Sequence, residues 1–251
     1  MPILTRNDAE IYYQVSGEGP VILLTHGFGA DHNMWSPQIH LLESRFKVIT
    51  WDMRGHGQSA IPSELSAYSE AETVQDMVSL LDLVGAKTAI IGGMSLGGYM
   101  SLAFHAKYPE RVLGLLLVDT GPGFKNDQAR EDWNKVAIAR GEEIEKNGKA
   151  SFSARAEAVT ANHIDMHGVA QAARGMLTQK DSAVIHSLPE INVPTLVVVG
   201  ANDLPYLVPS DYMAAKIPNA SKVTICDAGH ASNLDQPEIF NRHLMSFLSK
   251  L

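Results

Sequence analysis

The chain predicts an α/β protein, a mostly parallel β-sheet covered by helices on both faces and interrupted once by a helical insertion. Three observations predict it. Up to Asp119, apolar runs of strand length alternate with segments whose apolar residues recur at helical spacing, the pattern of strand–helix–strand units. Several runs, among them Val21–Thr25 and Val112–Val118, are almost continuously apolar, as strands buried on both faces are. From Pro122 to about Ser187 that texture disappears for longer than an ordinary loop allows, and it returns at Pro194.

The elements follow in order. Glu10–Val15 alternates well enough for a strand, and Gly17-Glu-Gly-Pro20 ends it with turn chemistry. Val21–Thr25 is a buried strand that runs into His26-Gly27-Phe28-Gly29, where glycines let the backbone expose an N–H; Phe28 is therefore a candidate oxyanion donor. His26 reads as a residue that shapes this loop through backbone hydrogen bonds. Trp35–Leu42 predicts a helix and Phe46–Trp51 the next strand. The polar loop Asp52-Met-Arg-Gly-His-Gly-Gln-Ser59 follows. Asp52 and His56 lie four apart, but an intervening glycine and the lack of other nearby ligands argue against a metal, so Asp52, Arg54 and His56 read as loop-shaping residues. Glu72–Val84 is an amphipathic helix, with Val74, Met77, Val78, Leu81 and Val84 on one stripe and Gly85 as its stop.

At Thr88–Phe104 an apolar run stops at paired glycines, a lone serine follows, and two more glycines open a helical segment. Gly93-Met94-Ser95-Leu96-Gly97 fits G-x-S-x-G, the strand–turn–helix in which a strained serine is tolerated because its neighbours are small. The turn lifts Ser95 Oγ clear of the sheet. It also puts the Leu96 amide at a helix N-terminus, where an orphan N–H and the helix dipole favour an anion. Val112–Val118 is the next strand, ending in Asp119. The insertion carries the helical segments Asp127–Lys146, Ala154–Ala161 and Met166–Thr178; its Arg130, Arg140, Arg155 and Arg174 could meet an acidic substrate, solvated surface charge being the plainer reading of each. Pro194–Val199 restores the strands and ends in Gly200-Ala-Asn-Asp203. Val223–Cys226 is the last strand, followed by Asp227-Ala-Gly-His230, and a C-terminal helix with Phe240, Leu244, Phe247, Leu248 and Leu251 packs back on the sheet.

Composition narrows the function classes. At 251 residues, 45% hydrophobic and 19% charged, the chain suits one large soluble domain with a modest insertion. A net charge of −8 without a basic stripe argues against nucleic acid. Cys226 is the sole cysteine, which excludes an intrachain disulfide and a cysteine-rich zinc site; in its apolar run it reads as a buried small hydrophobe. The first residues show no secretory pattern and no run reaches the ~18 residues of a membrane span, so a cytoplasmic protein is expected.

In open parallel sheets the functional groups gather at the carboxyl ends of strands, so Phe28, Ser95, Asp203 and His230 should converge on one edge. Serine needs a base in reach and a group to orient that base, and the order Ser95, Asp203, His230 is that of the α/β-hydrolase triad. Asp119 is a rival for the orienting acid and Asp227 a weaker one.

On these motifs, spread over nearly its full length, the chain resembles the α/β-hydrolase superfamily, and within it the small capped carboxylesterases and enol-lactonases. The resemblance implies an α/β-hydrolase fold: a sheet of about eight strands, the second antiparallel, with a helical cap after the sixth. It implies a core of residues 1–121 and 188–251 and a cap of residues 122–187. It makes Ser95 the nucleophile, His230 the base and then acid, Asp203 the orienting carboxylate, and the Phe28 and Leu96 amides the oxyanion hole. No metal or organic cofactor is required, and the expected partner is a small ester or lactone. Met94 stands where carbon–carbon bond hydrolases often carry asparagine. Carbon–carbon bond cleavage, haloperoxidase-like perhydrolysis and a ligand receptor on the same fold are the alternatives; the sequence leaves the oligomeric state open.

Overall fold

The computed structural model describes residues 2–7, 9–152 and 161–251. Its centre is an eight-stranded sheet in the order β1-β2-β4-β3-β5-β6-β7-β8. The strands are β1 (Ile3–Arg6), β2 (Ala9–Ser16), β3 (Val21–Thr25), β4 (Lys47–Trp51), β5 (Ala89–Met94), β6 (Val112–Val118), β7 (Thr195–Gly200) and β8 (Ala220–Ile225). From β4 onward all neighbours are parallel; β2 is antiparallel to both β1 and β4.

The near-continuous apolar strands have a direct cause. Successive side chains point to opposite faces, and here each face has its own core. Leu23, Ile49, Ile91, Leu115, Leu117 and Val197 meet Met77, Leu81, Met100 and Phe104 of the helices Glu70–Leu83 and Leu96–Lys107. Their strand neighbours Leu24, Val48, Ile90, Leu116, Val118 and Val198 meet Trp35, Phe240, Leu244 and Phe247 on the other side, the last three from the helix Pro237–Leu248. With both faces buried, a polar side chain inside these strands needs a partner within the protein, as buried Thr25 has in the Trp51 Nε1–H that donates to its Oγ1 at 3.1 Å.

Boundaries agree with the sequence reading to within a few residues. Three elements differ. β1 is only four residues long and alternates between exposed and half-buried positions, too little for a periodic signal. The helix Leu204–Lys216 was not anticipated, although Pro205 in its first turn is a start signal. Cys226 is exposed, contrary to its reading as a buried hydrophobe: β8 is an edge strand of mixed burial that ends at Ile225, which faces inward and leaves Cys226 outside.

Between β6 and β7 the described residues contain helices and no strand. Asp127–Asn147 and Met166–Gly175 pack against each other so closely at Gly141 that a Cβ would press on the Ala170 carbonyl oxygen. The expected helix Ala154–Ala161 falls almost wholly outside the described residues. No helix among those described is long and apolar enough to cross a membrane.

One buried ionic cluster ties the β4 loop to the sheet's flank. Arg54, 2% exposed, forks onto Asp76 of the helix Glu70–Leu83 with contacts of 2.8 and 2.9 Å, and Arg6 of β1 reaches the same carboxylate at 2.6 Å. Removing one partner of a buried pair strands the other charge away from water. Asp76→Ala is therefore expected to cost about 3–5 kcal/mol of unfolding free energy in urea titrations. Asp82→Ala, which breaks the exposed pair with Arg111, should cost about 1 kcal/mol or less.

Candidate active site

The turn at Ser95 has the backbone that its glycines foretell. Ser95 sits at φ 52°, ψ −115°, between β5 and the helix Leu96–Lys107. A Cβ at Gly93 would overlap the Gly97 backbone, and one at Gly97 would overlap the carbonyl oxygens of Thr25 and His26. Glycine at both positions is thus a packing requirement: the strand end, the first turn of the helix and the loop after β3 are in direct contact. The Ser95 amide donates to Val118 O at 2.9 Å, and Thr120 Oγ1 donates to Ser95 O at 2.6 Å, so β6 supports the turn from the other side.

The four carboxyl-end loops do converge. His230 Nε2 lies 2.9 Å from Ser95 Oγ, and His230 Nδ1 lies 2.8 Å from Asp203 Oδ2. These distances suit a serine hydroxyl donating to Nε2 and an Nδ1–H donating to the carboxylate. Asp203 is 5% exposed, and the Tyr206 ring lies 4.7 Å from the His230 ring. The Asp235 carboxylate accepts the Gly229 amide at 2.7 Å and steadies the loop beneath His230. Phe28 and Leu96 are buried beside Ser95, and among the described residues no group accepts a hydrogen bond from either amide. All five residues named from the sequence line one cavity of about 710 Å³, which the insertion also lines through Trp133, Arg140, Met176 and Leu177.

The rival acids lie elsewhere. Asp227 is exposed on its loop, and its carbonyl takes a long bond from Gln236. Asp119 is fully buried at φ 45° and accepts three hydrogen bonds: from the Gly200 amide at 2.8 Å, the Ser232 amide at 2.8 Å and Ser232 Oγ at 2.6 Å. It thus clamps the loop that leads to Asp203 onto the loop that carries His230. Burial lifts its carboxyl to about 6, against the opposing pull of those three donors and of His230.

The polar loops behave as loop-shaping residues. His26 donates from Nδ1 to Gly27 O at 2.7 Å and accepts the Met53 amide at Nε2, which fixes a neutral tautomer. Asp52 accepts from the His32 amide and ring and from the Gln58 amide. Burial opposes its ionisation, yet His32, His26 and the Gln58 amide together hold Asp52 below the usual carboxylate range; at His32 burial pulls the other way, and the bond to Asp52 with the nearby carboxylates raises it. His56 is fully buried between His26 and His163, and burial followed by those two rings drives it well below the usual imidazole range. His163, between β6 and β7, bonds to the loops after β3 and β4, accepting the Gly57 amide and donating to Gly29 O. Nothing in the sequence marked that role, because a lone histidine in a polar segment carries no pattern. Among the described residues no group of three or more His, Cys, Asp or Glu side chains could hold a metal ion.

A serine–histidine–aspartate relay at the carboxyl edge of such a sheet defines a protein of the α/β-hydrolase class, and comparison with known proteins agrees. Residues 20–140 match the family model described as alpha/beta hydrolase fold. The chain is 27% identical to 3-oxoadipate enol-lactonase 1 of Acinetobacter baylyi, over 99% of this chain and 97% of the relative. It is 30% identical to a provisionally named carbamate hydrolase, RutD, of Caulobacter segnis, over 91% of each. Among solved structures, a thermophilic esterase from Thermogutta terrifontis aligns with TM-score 0.80 and 32% identity, covering 96% of this chain and 94% of that one. The chain belongs to the α/β-hydrolase family, and is a hydrolase related to enol-lactonases and carbamate hydrolases.

Asp119 gives a pH-dependent prediction. Its carboxyl binds a proton more tightly in the folded chain than in the unfolded one, so its contribution to stability is greatest below about 4 and is lost as pH rises through about 6. The stability difference between wild type and Asp119→Asn, from urea unfolding, should therefore shift by about 1–3 kcal/mol in favour of wild type on going from pH 7.5 to pH 4.5.

Proposed function

We propose that this protein is a serine hydrolase that cleaves a small carboxylic ester or lactone through an acyl-enzyme on Ser95. The observation that carries the reading is the unbroken relay from Asp203 through His230 to Ser95, with contacts of 2.8 and 2.9 Å, facing a cavity of about 710 Å³. Serine is a weak nucleophile at its own pKa, and a relay of this length supplies the base and holds its tautomer.

The steps follow from the geometry. Ser95 Oγ attacks the substrate carbonyl as its proton passes to His230 Nε2. The carbonyl oxygen becomes an oxyanion that the Phe28 and Leu96 amides receive, each such donor being worth roughly 10²–10³ in rate. The intermediate collapses, the carbon–oxygen bond of the ester breaks, and the leaving alkoxide takes the proton from His230. Water then gives a proton to His230 and attacks the acyl group, and the second intermediate expels Ser95, which regains its proton. Asp203 accepts the Nδ1–H of His230 and stabilises the imidazolium. Residues 122–187 act as a cap over the cavity, and residues 1–121 with 188–251 form the core that holds the reacting groups. In a lactone the leaving alkoxide stays tethered to the acyl group, so the machinery is the same.

The relatives support this choice of bond: an enol-lactonase, a provisionally named carbamate hydrolase and an esterase all carry names for cleavage beside an acyl-type carbonyl.

A panel of p-nitrophenyl esters of increasing acyl length, with simple lactones, tests the reading. Ser95→Ala and His230→Ala are expected to lower kcat by about 10⁴-fold or more, and Asp203→Asn by about 10³–10⁴-fold. Wild-type turnover with a chain-length optimum supports the assignment. Near wild-type rates in folded Ser95→Ala, or no ester or lactone turnover by folded wild type, overturn it.

A further inference from the structure

We infer that the substrate carries an uncharged carbonyl oxygen a few carbons away from the bond that is cleaved, and that the side-chain amide of Gln179 is the donor that binds it. The inference rests on the reading of Ser95 as the nucleophile of an ester hydrolase and adds the substrate's second polar group.

Gln179 lies between the helices Met166–Gly175 and Ala183–Ser187 and lines the same cavity as Ser95 and His230. It is 9% exposed. Its backbone N–H donates to Asn134 Oδ1 at 2.8 Å, its carbonyl accepts Asn134 Nδ2 at 2.9 Å, and its Oε1 accepts the Phe124 amide at 3.1 Å. The last bond fixes which way round the side-chain amide sits, because only its oxygen can accept an N–H. A Cβ at Gly123 would press on Oε1, so packing as well as bonding holds the side chain in place. What remains is Nε2. Among the described residues nothing accepts a hydrogen bond from it, and it is not one of the sealed polar atoms that lack partners. In a residue this buried, the opening left to Nε2 is the cavity that the residue lines.

The other side-chain donors on the cavity wall are spent. Tyr99 Oη donates to Glu70 at 2.8 Å, Thr120 Oγ1 to Ser95 O at 2.6 Å, and Trp133 Nε1 to Leu177 O at 2.7 Å. Arg140 is stacked on the Phe28 ring at 5.5 Å, and both it and Tyr206 have partners. Of the insertion's other arginines, Arg130 and Arg174 pair with Asp127 and Glu145, and Arg155 lies outside the described residues. The carboxylates Asp203 and Asp235 are engaged by His230 and by the Gly229 amide.

The chemistry of this amide names what it takes. When substrate displaces water from a wall that includes Phe124, Met176 and Leu177, Nε2 loses its hydration, and an oxygen on the substrate replaces it. The amide has no charge with which to offset the hydration a carboxylate would lose there, so the oxygen that suits it is a neutral one. The separation is short. Thr120 Oγ1 bonds to Ser95 O, and from Thr120 to Phe124 the chain reaches at most about 14 Å. A ketone, ester or amide carbonyl on a chain of a few carbons falls within that span.

The test uses matched p-nitrophenyl esters: 4-oxopentanoate, 5-oxohexanoate and 6-oxoheptanoate against pentanoate, hexanoate and heptanoate. On the alcohol side, 4-oxopentyl acetate is set against pentyl acetate. The kcat/KM ratio within a pair cancels any general loss of activity. Wild type should prefer the oxo member of at least one pair. Gln179→Met, which removes both bonds of the amide, should lower that pair's ratio by about 10-fold. Gln179→Glu keeps an oxygen for the Phe124 amide and puts a second oxygen where Nε2 was, so at pH 8.5 its ratio should fall at least as far. A role confined to holding Phe124 would survive in Gln179→Glu. An unchanged ratio in either folded variant, or a wild type indifferent to the oxo group in every pair, overturns the inference while leaving the ester hydrolase reading standing. If instead no ester is hydrolysed, that reading falls and binding decides, with methyl 5-oxohexanoate and methyl hexanoate titrated against tryptophan fluorescence, since Trp133 lines the cavity. Tighter binding of the oxo ester that Gln179→Met loses supports the donor, and equal binding or none overturns it.

Discussion

A serine held at φ 52° with backbone packed against it on two sides is a costly arrangement, on the order of 1–3 kcal/mol for the dihedral alone. It persists because the surroundings leave no other. Gly97 rests on the carbonyls that end β3, Gly93 rests on Gly97, and Val118 and Thr120 bond to the serine backbone from β6. Three neighbouring strands therefore meet at one turn, and the loops that follow them inherit their positions from it. The loop after β3 carries Phe28, and the helix after the turn begins with Leu96, so both candidate oxyanion amides are fixed by the packing that strains Ser95.

The other half of the site is assembled by polar contacts that the apolar cores cannot supply. Asp203 and His230 come from loops after different strands, and Asp119 bonds to both loops at once through Gly200 and Ser232. Its lifted proton affinity is the cost of placing a carboxyl where water does not reach. On the other flank, Arg54 with Asp76 and His32 with Asp52 hold the loop after β4. His26 and His163 bond that loop to the β3 loop and to the insertion. The helical segment between β6 and β7 is thus tied to the loops after β3 and β4 by His163, whose partners are the backbone groups of Gly29 and Gly57.

Much of this was legible in the sequence, for identifiable reasons. A strand buried on both faces is almost wholly apolar, so Val21–Thr25 and Val112–Val118 declared themselves. A strained serine needs glycine neighbours, so Ser95 did too. Asp203 and His230 were readable because strand ends in a parallel sheet share an edge. Residues whose role depends on partners far along the chain were not readable. Asp119 was noted only as a rival acid, since its bonds to Gly200 and Ser232 exist only once the loops meet. His163 and Tyr206 carried no local pattern. Cys226 was misread because an apolar run does not reveal that its strand lies at the edge of the sheet and stops one residue short.

The central claim is that Ser95 is the nucleophile, and its most direct test is covalent. The protein would be treated with a p-nitrophenyl alkylphosphonate, which mimics the tetrahedral intermediate and cannot be released by water at the rate of an ester. Intact mass and peptide mapping would then be read alongside residual esterase activity. The account predicts one phosphonyl group per chain, on the peptide containing Ser95, with activity lost in proportion and no label in His230→Ala. A label carried elsewhere, such as on Cys226, or full labelling with activity retained, would contradict it.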